Sequence, residues 1–76
     1  MKIVLSSHAQ DRLVERGIKK ADVIEAIKNP DIKCPTKNKR LTRIRKELNS
    51  KTLNVIIEEK DTCIVVVTCA ISEKEA

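Results

Sequence analysis

The sequence predicts an α+β domain in which two N-terminal helices pack on a three- to four-stranded antiparallel sheet. Three observations carry that expectation. Apolar residues recur at helical spacing through the first thirty positions, and from Arg40 onward β-branched residues alternate with charges. Two turn signals, "NSKT" and "EEKDT", divide this second half into three runs. At 76 residues the chain makes one domain, 1–76.

Ile3-Val4-Leu5 is a short apolar entry that can serve as a strand. Ser6 or Ser7 then supplies a helix N-cap, because a serine oxygen can accept a bond from an unpaired amide one turn on. The first helix runs to about Arg16, and Gly17 ends it by tolerating the left-handed conformation. At 100° per residue, Ala9, Leu13, Val14 and Gly17 form the core-facing side, with Asp11 and Glu15 across from it. His8, Arg12 and Arg16 track along one border of that stripe.

A second helix covers roughly Lys20 to Lys28, with Val23, Ile24, Ala26 and Ile27 on one side. Asn29-Pro30 stops it, since the residue before proline avoids helical angles. "DIKCPTKNK", residues 31–39, reads as a loop. "RLTRIRKEL" is the first long strand. Strict alternation would put Leu41 and Ile44 on opposite faces, which predicts a bulge or a late start. In "LNVII", Leu53, Val55 and Ile57 share one face. "CIVVVTCAI" is apolar at nearly every position, so this strand is central or covered by another subunit. Ser72 to Ala76 is expected to be a frayed charged tail.

The hydrophobic share of 41% contains no Phe, Tyr or Trp, so the core is Ile, Val and Leu. No apolar run approaches the roughly 20 residues of a membrane span, and Ile3–Leu5 is too short for a signal peptide. The expected location is the cytoplasm. Cys34, Cys63 and Cys69 with the lone His8 could in arithmetic make a zinc site. However, Cys63 and Cys69 are badly spaced as ligands, and buried reduced thiols are expected instead, with no metal and no cofactor.

The net charge of +5 is uneven. Residues 1–46 hold 13 Lys/Arg against 5 acids, whereas residues 47–76 hold 3 against 6. Between Lys33 and Lys46 stand seven basic residues and no acid. Such asymmetry marks a polyanion-binding face, although a Lys/Glu-rich solvated surface has the same composition.

The run "SxHAxxRxxxRGI", here Ser6, His8, Ala9, Arg12, Arg16, Gly17 and Ile18, resembles the opening of domain-of-unknown-function family 4258. "VIEAIKNPD" at residues 23–31 and "VVT" at residues 66–68 resemble it too. That family is similar in architecture to the RelE/ParE-like toxins, which cleave messenger RNA at the ribosome or poison gyrase. The resemblance implies a RelE-like arrangement of two helices on a curved antiparallel sheet, and a toxin-like or RNA-handling scaffold. One departure stands out: members often carry an aromatic after the terminal Val-Thr, whereas Cys69-Ala70 follows here and the chain has no aromatic at all.

RNA cleavage without a metal needs a base, an acid and cations for the phosphorane. His8 is the natural proton handler, Arg12 and Arg16 the phosphate clamp. Lys37, Lys39, Arg40, Arg43 and Arg45 would contact further phosphates, the three arginines forming an opposite wall if their strand packs beside the first helix. Each has a plainer role. Ser6 and Ser7 cap, Arg12 pairs with Glu15 or Asp11, Arg16 caps carbonyls, and the lysines are solvated. Two readings stay open: a ribonuclease related to the toxins, or a non-catalytic module binding nucleic acid or protein. The partners expected are RNA or another polyanion, an acidic antitoxin-like protein, and a second copy through residues 63–71, with no membrane.

Overall fold

A computed structural model describes residues 2–73 of the chain. The elements in order are β1 (Lys2–Leu5), α1 (Ser7–Arg16), α2 (Lys20–Lys28), β2 (Ile32–Pro35), β3 (Leu41–Leu48), β4 (Lys51–Glu59) and β5 (Cys63–Glu73). All five strands join one sheet in the order β1-β5-β4-β3-β2, and both helices cover one of its faces.

Ser6 caps α1 with its Oγ accepting from the Ala9 amide at 3.0 Å. The helix ends as expected at Gly17, whose φ of 63° is left-handed. There the Ile18 amide donates to Leu13 and the Gly17 amide to Val14, which satisfies two otherwise orphaned carbonyls. A Cβ at position 17 would meet no neighbour, so only the backbone conformation demands glycine. Gly17→Ala is therefore expected to lower stability by about 1–2 kcal/mol, read as a lower urea midpoint with an unchanged slope.

The sheet corrects the expectation of three or four antiparallel strands: there are five, and the sheet is mixed. β1 lies parallel to β5, from Lys2 opposite Cys63 to Leu5 opposite Val66. Parallel neighbours need a long connection between them. Nearly the whole chain supplies it here, so no local pattern announces the pairing. The second correction is β2, which occupies part of the segment expected to be a loop. Four residues are too few for alternation to register, and Pro35 argues against a strand unless the strand is an edge. β2 is that edge, antiparallel to β3 alone. Asp31 pins its start: its amide donates to Arg45, and its carboxylate accepts from the Glu47 amide at 2.7 Å.

Between sheet and helices lies the core of Ala9, Ile18, Val23, Ala26, Ile44, Leu53, Val55, Ile57, Val66 and Cys69. α1 sits over β5 and β1, and α2 over β4 and β3. Val14 departs from its expected core position and is 84% exposed. It lies some 140° round the helix from buried Ala9, so it borders the outer edge of β1 instead.

No bulge or late start occurs in β3, whose register with β4 is continuous from Leu41 to Leu48. Leu41 points to the uncovered face. The irregularity is in β5, where Ile57 pairs with Val66 but Ile56 pairs with Thr68, leaving Val67 as the extra residue. Its effect is a change of parity. Val66 is buried and, three residues on, so is Cys69, a step strict alternation forbids. β5 is central, one of the two alternatives that its apolar run left open, and is flanked by β1 and β4. β4 pairs with it from Ile64 to Glu73, whereas β1 pairs only with Cys63–Val66 and Ser6 bonds Val66 and Val67, so no described strand runs along that edge of residues 68–71. Ser72 and Glu73 continue this strand instead of fraying, while the rest of the expected tail, residues 74–76, lies outside the described residues.

Candidate nucleic-acid interface

Pleat alternation divides the basic run of residues 33–46 between the two faces of the sheet. Buried Ile44 faces the helices, so Arg43 and Arg45 project from the other side. That side has no helix on it. Across it, Arg43 stands between Cys34 and Ile56, and Arg45 between Ile32 and Asn54. Ile32, Cys34, Arg43, Arg45 and Asn54 line a shallow hollow of about 150 Å³. One Arg43 Nη donates toward the Cys34 sulfur at 3.8 Å. None of the ion pairs among the described residues engages Arg43 or Arg45.

Lys37, Lys39 and Arg40 sit at the tip of the same β2–β3 hairpin and are exposed. The tip is a defined turn: Thr36 Oγ accepts from the Asn38 amide, and Asn38 Oδ1 accepts from the Arg40 amide. The structure thus brings all five expected nucleic-acid contacts onto one hairpin. The other two lysines of the run are spent on architecture. Lys33 pairs with Glu59 at 2.8 Å, and Lys46 donates to the Asn29 carbonyl at 2.8 Å beside Asp31.

His8, Arg12 and Arg16 do lie together, along the flank of α1 opposite Gln10 and Val14. Arg12 bridges its neighbours, donating from Nε to His8 Nε2 at 3.4 Å and from Nη1 to Glu15 at 3.1 Å. Beneath α1, burial pushes the Cys69 thiol up from its usual range, against the opposing pull of Arg16 and Arg12. It stays protonated and points at the Ala9 carbonyl, 3.9 Å away. α1 and the arginines of β3 occupy opposite faces of the sheet, and β3 packs beside α2 rather than α1. The expected opposite wall does not form, so no shared groove joins the imidazole to Arg43 and Arg45.

Sequence reasoning missed four residues of the uncovered face: Ile32, Cys34, Asn54 and Cys63. Cys34 and Cys63 were expected to be buried, but both are half-exposed, and all three cysteines are free. Ile32 and Asn54 join the hollow only because β2 is a strand. Ser6 has a second role besides its cap: its amide donates to the Val66 carbonyl, and its hydroxyl donates to Val67 at 2.9 Å. It fastens the start of α1 to the bulge of β5.

A family model described as "Domain of unknown function (DUF4258)" matches residues 5–70. No curated protein and no solved structure matches the chain.

Proposed function

The chain belongs to the DUF4258 family, and from its uncovered basic face we propose that it binds single-stranded RNA as a non-catalytic module. The observation that carries the reading is the five cations Lys37, Lys39, Arg40, Arg43 and Arg45 on one hairpin, free of ion pairs among the described residues. A bare sheet face with flat guanidinium planes suits splayed bases, which stack on arginine as well as on aromatics. Since the chain has no aromatic residue, binding rests chiefly on phosphate contacts and tolerates many sequences.

The ribonuclease reading is weaker on geometry. It asks His8 to work beside the bound phosphates, and the sheet stands between them. Kinship with the RelE/ParE-like toxins belongs to the proposal as well, supported by the His8, Arg12, Arg16 and Gly17 opening and by two helices covering one face of a meander. An acidic antitoxin-like protein would compete for the same hairpin cations. No helix among the described residues is long and apolar enough to cross a membrane; a cytoplasmic setting, where RNA is met, is part of the same proposal.

The test is fluorescence anisotropy with a single-stranded RNA oligonucleotide over a range of salt. Arg43→Ala and Arg45→Ala are each expected to weaken binding about five- to thirtyfold, a loss of one or two kcal/mol. Each should also flatten the log–log salt slope by about 0.7. Arg12→Ala and Arg16→Ala should change neither. Salt-insensitive binding, or equal losses on α1, would overturn the interface. RNA length is followed in the same samples: cleavage that disappears in His8→Ala would replace the binding module with the enzyme.

A further inference from the structure

The hairpin hollow holds a nucleophile that RNA binding does not use. Cys34 is half-exposed, and its sulfur is the acceptor for Arg43 while Arg45 lines the same 150 Å³ space. The other thiols lack this setting. Cys69 is 2% exposed beneath α1. Cys63 is half-exposed at the start of β5, where its register partner is Lys2 of the edge strand β1. Reactive cysteines sit in electropositive, partly exposed surroundings, and Cys34 is the one that meets both conditions with two guanidiniums. Acids on this face stand further along it: Glu47 lies beyond Arg45 on β3, and Glu58 is opposite Leu41; neither lines the hollow.

We propose that Cys34 is a thiol–disulfide exchange site selective for anionic small-molecule disulfides, with Arg43 and Arg45 as its charge-selecting walls. The Cys34 thiolate attacks one sulfur of the incoming disulfide. A new S–S bond forms to that half, the old S–S bond breaks, and the other half leaves as a thiolate that takes up a proton. The small disulfide is the oxidant, so electrons balance without a further reagent. The arginines attract an anionic disulfide and repel a cationic one. The captured half leaves negative charge between Arg43 and Arg45. If the hairpin binds RNA as proposed above, this modification expels it, and a reductant restores it.

The full chain is incubated with oxidised glutathione (anionic), hydroxyethyl disulfide (neutral) or cystamine (cationic), and the modified cysteine is located by peptide mass spectrometry. Cys34 is expected to react before Cys63. Its rates should fall in the order anionic, neutral, cationic, with about a tenfold spread between extremes. Arg43→Ala with Arg45→Ala should collapse that order, while Arg43→Lys should keep it. Cys63 reacting as fast as Cys34, or a Cys34 rate indifferent to charge in the unmutated chain, would overturn the site. RNA anisotropy on the glutathione adduct separates the two proposals. Selective modification of a chain that never binds RNA sinks the RNA reading and leaves the exchange site standing. RNA binding with unselective modification does the reverse.

Discussion

Leu53→Ala is expected to destabilise the fold by about 2–5 kcal/mol. Leu53 is fully buried on the helix-covered face of β4, where α2 packs, and its neighbours Val55 and Ile57 are equally closed off. Truncation removes apolar burial and leaves a void that close-packed aliphatic neighbours fill only in part. A chain of this size has a total stability of roughly 4–11 kcal/mol, so the loss is a large share of the whole. The companion variant is Ile56→Ala. Ile56 belongs to the same strand but faces the uncovered side and is only half-buried. It should cost less than half as much in the same denaturant titration. Equal losses at the two positions would mean that the outer face is covered, contrary to the interface described above.

Ser6→Ala should follow at about 1.5–3 kcal/mol, combining a lost helix cap with a lost hydrogen bond to the bulge. The side chain accepts from Ala9 at one end of this link and donates to Val67 at the other. Without it, the Ala9 amide and the extra carbonyl of β5 lose a partner together. Ser7→Ala, one residue on and exposed, should stay within about 0.5 kcal/mol of the unmutated chain. Thermal melts of both variants distinguish a true tie from a general serine effect. Amide hydrogen exchange should also show α1 opening more readily in Ser6→Ala, since the cap holds its first turn against β5.

Local signals made much of this molecule legible. A serine N-cap at Ser6 or Ser7, the stop at Gly17, the span of α2 and its apolar side, and the inward set Leu53, Val55 and Ile57 all follow from chemistry within a few residues of each position; the structure chose Ser6. The hairpin cations were legible as well, because an acid-free run is a property of composition. What it lacked was direction. Lys33 and Lys46 face the helices and their ion pairs, while Arg43 and Arg45 face outward. That division depends on pleat parity, which the sequence expresses only once one residue's facing is known. Val14 misled for a related reason: it is apolar, but it sits on the flank where the sheet has already ended.

Sequence alone therefore determined the helices, the meander and the charge asymmetry, since helix periodicity, turn chemistry and net charge act over short distances. Tertiary structure decided the parallel seat of β1, the strand character of β2 and the placing of the β5 bulge. It also decided that the His8 flank and the Arg43 face lie on opposite sides of the sheet. Each of these turns on contacts between residues far apart in the chain, such as Ser6 with Val67, and no window of neighbouring residues contains both partners.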